Sequence, residues 1–192
     1  MRSRDPAEGE PGDEELASAA ARGDEGAFRA LAQRHWARIG SFCAAMAGFD
    51  PEVAREAAQD SLVRLFKALP RRKGGSSFST FLYAVCRHAA LDALRRRARS
   101  AARAVSLDEA TVPDIHDEME RSEVRRALSE ALATLKADDR ALVYLHEAES
   151  VPLRELARRF GLPEGTVKSR LSRARAKLAG LLKEGGMEGM DG

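Results

Sequence analysis

The sequence predicts an all-α protein made of two small helical domains joined by a flexible linker, the C-terminal one a helix-turn-helix. Three observations carry this. Apolar residues recur at steps of three and four through most of the chain and no stretch alternates with period two, so helices are expected and a sheet is not. Charged residues make up 32% and aromatics 5% of a chain rich in Ala, Arg and Leu, side chains that lose little freedom in a helix. Periodicity stops between Ala98 and Asp117, where Pro113 stands in a string of Asp and Glu.

Residues 1–12 are rich in Pro, Gly and Glu and are expected to form a disordered tail. The first helical domain spans 13–97. A short helix, Glu14 to Arg22, stops at Gly23, and Asp24 caps a longer one with Phe28, Leu31, His35, Ile39, Phe42 and Met46 on one face. Asp50 and Pro51 are a cap and a first-turn proline. They open a helix whose apolar side holds Val53, Ala57, Leu62, Leu65, Phe66 and Leu69, and Pro70 ends it. After the loop RRKGGSS, Ser77 or Ser79 caps the helix FSTFLYAVCRHAALDALRRR, aromatic at its start and arginine-rich at its end.

Beyond the acidic linker at 98–117, the second domain covers 118–184, followed by a second expected tail at 185–192. Val124, Leu128, Ala131 and Leu135 lie on one helical face, and a helix from about Asp139 holds Leu142, Val143 and Leu145. Then Leu153, Leu156, Ala157 and Phe160 line a short helix. Gly161 supplies a left-handed turn, and Pro163 opens a second helix anchored by Val167, Leu171, Ala174 and Leu178.

The formal charge of +2 conceals a separation along the chain. Asp5 to Glu15 carries six acids and no base, whereas Lys168 to Lys183 carries six bases and no acid. Arg87 to Arg103 holds six arginines against one Asp, and Asp108 to Glu123 seven acids against one Arg. Two basic faces suit a polyanion; solvated helix faces are the plainer reading of either run alone.

A helix of the final pair fits the DNA major groove, with residues near its N-terminus facing base edges and later cations facing phosphates. Glu164, Lys168, Ser169 and Ser172 are the candidates for base reading, and Gly165 and Thr166 complete the DNA-facing start of the helix. Arg170, Arg173, Arg175 and Lys177 are those for phosphate contact. An αα-hairpin with a basic surface is the alternative. In the first domain, Phe78, Phe81 and Tyr83 beside an arginine-rich end suit opened single strands, since aromatic faces stack unpaired bases while cations track the backbone. Aromatics at helical spacing also serve as core, and Phe78 and Phe81 are expected to be partly structural.

Little points to an enzyme or a metal protein. His35, His88, His116, His146, Cys43 and Cys86 match no zinc spacing, and neither a GxxxxGK loop nor a GxSxG turn occurs, so no catalytic residue, metal or cofactor is expected. Two cysteines without CxxC spacing fit a reducing cytoplasm. The acidic N-terminus and the lack of an apolar run near about 20 residues argue against a signal peptide or membrane insertion.

Four segments resemble a known family. AFRALAQRHWARI, EVAREAAQDSLVRLFKAL and SSFSTFLYAVCRHAALDALRRR are similar to region two of the extracytoplasmic-function (ECF) sigma factors of bacterial RNA polymerase. LATLKADDRALVYLHEAESVPLRELARRFGLPEGTVKSRLSRARAKL resembles their region four. The resemblance implies a transcription initiation subunit that binds core RNA polymerase and promoter DNA, with an anti-sigma factor as a further partner. It implies a polymerase interface at Glu56, Gln59, Asp60, Arg64 and Lys67. It implies minus-ten melting, with a base flipped from the stack, by Arg71, Arg72, Lys73, Ser77, Phe81, Tyr83, Arg87, His88, Asp92, Arg95 and Arg96, and minus-thirty-five reading by the final helix. Phe81 stands where the family commonly has Trp, His88 where it has Asn, and Pro152 where a Ser cap is usual. A stand-alone helix-turn-helix regulator is the competing reading.

Overall fold

The computed structural model describes residues 11–72, 77–104 and 119–184, and among these every regular element is helical. In chain order they are α1 (Asp13–Ala21), α2 (Glu25–Ala47), α3 (Pro51–Ala68) with a short 3₁₀ turn (Leu69–Arg71), α4 (Phe78–Ala104), α5 (Met119–Ala133), α6 (Ala137–Glu147), α7 (Leu153–Phe160) and α8 (Glu164–Glu184). Residues 1–10 and 185–192, most of the expected linker and Lys73 lie outside the described residues. Helix α4 continues to Ala104, seven residues past the boundary expected at 97.

The helix ends follow from local chemistry. Asp24 accepts from the Ala27 N–H at 2.9 Å, and Asp50 accepts from Glu52 and Val53 at 3.0 and 3.1 Å, satisfying donors that an α-helix leaves unpaired at its start. Ser77 caps α4, its hydroxyl accepting from Thr80 N–H at 3.2 Å. Gly48 ends α2 in the left-handed region at φ 67°, and a Cβ there would meet the Ala133 backbone at 3.4 Å, so the ends of α2 and α5 approach closely at this glycine.

Helices α2, α3 and α4 enclose the first core around Leu31, Ile39, Phe42, Met46, Leu65, Leu69, Phe78 and Leu82. Phe66, expected on the apolar side of α3, is instead 53% exposed, its ring edge-on to Phe28 at 5.0 Å. The core residues of α6, α7 and α8, among them Leu142, Leu145, Leu156, Val167 and Leu171, belong to the same continuous cluster. A smaller cluster joins α5 to α8 through Leu132, Leu135, Ala174 and Leu178.

The two helical units are therefore docked against each other, through α2 on α6 and α4 on α7. Arg140 of α6 is the centre of that seam. Its buried guanidinium donates to the carbonyls of Met46, at the end of α2, and of Leu135, just past α5, each at 2.9 Å. These carbonyls lie where helices run out of internal donors, and a planar fork of N–H groups is suited to serve both ends.

Candidate nucleic-acid interface

The helix-turn-helix is built by packing on one side only. Gly161 turns the chain at φ 63°, and Leu162 N–H donates back to the Ala157 carbonyl at 3.0 Å. Val167, Leu171, Ala174 and Leu178 are buried, which turns Glu164, Gly165, Lys168, Ser169, Ser172, Arg173, Arg175 and Lys177 outward. Thr166 is half-buried.

Four candidate phosphate cations differ in what they already hold. Arg170 is half-buried and donates to Asp139 at 2.7 Å, tying α8 to α6. Lys177 donates to the Thr134 carbonyl at 2.8 Å, and Arg175 pairs with Glu147 across exposed surface. Arg173 reaches only its own helix, at the Ser169 carbonyl. Lys168 and Arg173 are thus the cations aimed most directly at solvent.

On α4 the candidates separate into three environments. At its start, Glu14 of α1 holds Arg72 at 2.7 Å and also accepts from the Phe78 N–H, while Arg72 stands over the half-buried Phe81 ring at 5.8 Å. The hydrogen bond from Arg72 is the main cause holding the Glu14 carboxyl below its ordinary range. Arg71 is exposed beside this knot.

In the middle, the face lies under the second unit. Tyr83 is buried against Phe42, with the Arg159 guanidinium 5.0 Å from its ring centre, and burial pushes its hydroxyl up to about 12. Arg87 makes two hydrogen bonds to Asp138, at 2.7 and 2.6 Å, and lies against the Phe160 ring.

Further along, the face opens to solvent. His88 is exposed, its Nδ1 2.7 Å from the Ala84 carbonyl, and Arg95 is exposed while pairing with Asp92 at 2.9 Å. Asp92 also accepts from Arg64 at 2.8 Å, and this bond above all keeps its carboxyl lower than usual. Arg96 pairs with Glu56 at 2.6 Å and lies 3.7 Å from Asp60.

On α3, Glu56, Gln59 and Lys67 are exposed; Glu56 pairs with Arg96 of α4, and Arg64 pairs with Asp60 on its own helix and with Asp92 on α4. Sequence reasoning missed Val63 on this same helix, 51% exposed and close to Phe66 by helical spacing. It also missed the acids that cover α4, Asp138 and Glu155. Their position in the first turns of α6 and α7 reads in the sequence simply as helix-start chemistry.

Comparisons with known proteins agree with this architecture. Residues 31–100 match the model of sigma-70 region 2, and residues 125–178 that of sigma-70 region 4. The ECF RNA polymerase sigma factor SigM of Mycobacterium tuberculosis is 32% identical over 176 residues, covering 90% of this chain and 86% of that protein. The RNA polymerase sigma-H factor of Pseudomonas aeruginosa is 28% identical over 174 residues, 85% of this chain and 90% of its own length. Among solved structures, CnrH in complex with the cytosolic domain of CnrY superposes with a TM-score of 0.66 at 25% identity, over 90% of this chain and 97% of CnrH. The sigma factor RpoE of Bartonella quintana, in complex with the anti-sigma factor NepR, shares the fold at a TM-score of 0.61 over 81% of this chain and 96% of its own, at 24% identity. The chain belongs to the ECF sigma factors, non-enzymatic initiation subunits that bind RNA polymerase and promoter DNA.

Proposed function

We propose that the two units divide promoter recognition, α8 reading the minus-thirty-five element and α4 with the loop before it opening the minus-ten element. The observation that carries the reading is the outward face of α8. Lys168, Ser169, Ser172 and Arg173 are exposed in register while Val167, Leu171 and Ala174 hold the opposite face in the core. A helix so anchored can enter a major groove without unfolding anything behind it. Exposed Arg71 ahead of α4 and exposed His88 and Arg95 along it, with Phe81 near its start, suit the strand that melting releases.

The polymerase face is assigned to α3, where Gln59, Val63, Phe66 and Lys67 combine apolar and polar exposed surface. On this reading the functional units run from 13 to 97 and from 118 to 184, and the protein works in the cytoplasm. No described helix is long and apolar enough to cross a membrane. CnrH is in complex with the cytosolic domain of CnrY and RpoE with the anti-sigma factor NepR, and an anti-sigma factor is the corresponding partner proposed here. No bond is made or broken by this chain; binding energy drives strand opening.

The test is transcription by sigma-free core polymerase on a mixed promoter library, with and without the protein. Transcripts sharing two upstream elements are expected. Protection of duplex DNA by the purified chain alone, with no transcription on adding core polymerase, would overturn the reading in favour of a stand-alone regulator.

A further inference from the structure

The core of the first unit contains three polar side chains in contact, two thiols and a hydroxyl. Cys43 of α2 and Cys86 of α4 are 0% and 1% exposed. Their thiols act directly on one another across the contact between these helices, each the largest influence on the other's ionisation. Ser61 of α3, also buried, is the third member. Its hydroxyl donates to the Ala57 carbonyl at 2.6 Å, and the Cys43 sulfur lies 3.8 Å from the same hydroxyl oxygen. A serine hydroxyl has a single proton, and Ala57 takes it, so the Cys43 S–H donates to Ser61 and the Cys43 sulfur is left to accept from Cys86.

These contacts make the two thiols chemically unequal. The Cys86 contact pulls the Cys43 thiol below its ordinary range against burial, whereas the Cys43 sulfur and burial push Cys86 well up. Cys43 is therefore the first to become a thiolate, the form that attacks an oxidant, while Cys86 keeps its proton beside it. A buried cysteine usually packs as a small apolar side chain; two in contact, joined to a hydroxyl, form a dithiol. Ala57, Ala90 and Ala93 are fully buried in the same core, and side chains this small let the helices lie close. A disulfide needs Cα atoms about 5.5–6 Å apart, a spacing open only to backbones that nearly touch.

We infer that Cys43 and Cys86 are an oxidation site, a dithiol that a hydroperoxide converts into a disulfide joining α2 to α4. The Cys43 thiolate attacks one peroxide oxygen, the O–O bond breaks, and the departing hydroxide becomes water with the proton that Cys43 gave up. The Cys86 sulfur then attacks the sulfenic acid on Cys43. The S–O bond breaks and hydroxide leaves as a second water with the Cys86 proton. Two thiols and one peroxide give one disulfide and two waters. Hydrogen peroxide is little larger than water and reaches the core when the helices open locally.

The bond has a structural consequence. At about 2.05 Å it is far shorter than any noncovalent contact between thiols, so closing it draws α2 and α4 together and takes Cys43 from Ser61. A close-packed core passes such a shift on rather than absorbing it. The span that matches sigma-70 region 2, residues 31–100, covers most of α2, α3 and α4. The oxidised chain is accordingly a poorer initiation subunit until a thiol reductant restores it.

The test treats the full chain with hydrogen peroxide and then blocks free thiols under denaturing conditions. The expected product is a monomer lighter by about 2 Da, the two hydrogens lost on disulfide formation, which yields a linked Cys43–Cys86 peptide on digestion. Promoter-directed transcription with core polymerase should fall about fivefold as the packed helices shift, and dithiothreitol should restore it. Cys86→Ala, treated alike, should keep its transcription; Cys86→Val takes its place if circular dichroism shows the alanine variant unfolded. Thiols recovered free, or oxygen adducts in place of the linked peptide, would overturn the site. A linked chain that transcribes as well as the reduced one would overturn its effect on initiation, as would an equal loss in the variant lacking Cys86.

Discussion

Arg64 on α3 donates to Asp92 on α4 at 2.8 Å and to Asp60 on its own helix at 2.9 Å. One guanidinium thus connects the proposed polymerase face with the helix that bears Arg95 and Arg96. Asp92→Ala releases Arg95 and leaves Arg64 held by Asp60 alone. Because the pairs are surface ones, little change in melting midpoint is expected. Transcription from promoters that open poorly should fall more than from promoters that open readily, since the loss is in holding α4 in register with α3. Equal loss on both promoter sets would remove Asp92 from any role in opening.

Lys168→Ala and Arg173→Ala are each expected to lower promoter-directed transcription by about tenfold while leaving core polymerase binding intact, because neither side chain supports the fold. Each should also reduce the slope of log affinity against log salt by about 1 if it meets a phosphate. Arg170→Ala should behave differently. Its tie to Asp139 fastens α8 to α6, so the expected outcome is a stability loss of about 1 kcal/mol in urea unfolding, with transcription falling only as the helix loosens.

The helices, their caps and the buried face of α8 were legible because each depends on residues within a few positions of one another. Asp24, Asp50, Ser77 and Gly161 do locally what their types do anywhere. The exposure of Phe66 was not legible, since the spacing of α3 puts it at the edge of the apolar face and only the packing of α2 decides which side of that edge it takes. Docking of the two units was missed for a related reason. Tyr144 and Leu145 continue the apolar face of α6, but nothing in a one-dimensional pattern says that this face meets Phe42 of α2, about a hundred residues earlier. Nor does the sequence say that Arg87 and Asp138 are neighbours.

His35 makes stability depend on pH. It is 3% exposed, packs on Phe78 and meets Asp13 at 2.8 Å through Nε2. Burial is the largest cause and pulls its pKa down, against the opposing pull of Asp13. The folded protein therefore takes up the proton less readily than the unfolded chain. The stabilisation is full above the unfolded value of about 6.5 and is lost as pH falls through that value toward the depressed folded one. Urea midpoints should drop between pH 7.5 and 5.5, and His35→Gln should flatten the dependence. A dependence of the same steepness in His35→Gln would assign it to other groups.

Arg140 is where a single substitution should cost the most. Its guanidinium is buried, burial alone lowers its pKa, and its acceptors are backbone carbonyls at the ends of two helices, Met46 on one unit and Leu132, Ala133 and Leu135 on the other. Arg140→Met keeps much of the volume but leaves those carbonyls buried without their donor, at about 1–3 kcal/mol for each left dry. The expected loss is about 2–4 kcal/mol in urea unfolding, since water reaches some of them. Lysine should rescue little, because one ammonium cannot span both helix ends as a planar fork does. The same side chain spans the seam between the units, so Arg140→Met should also lengthen the distance between labels on α4 and α8. A loss of stability with no separation would mean that the aromatic and apolar contacts around Phe42 and Tyr144 hold the units together without it.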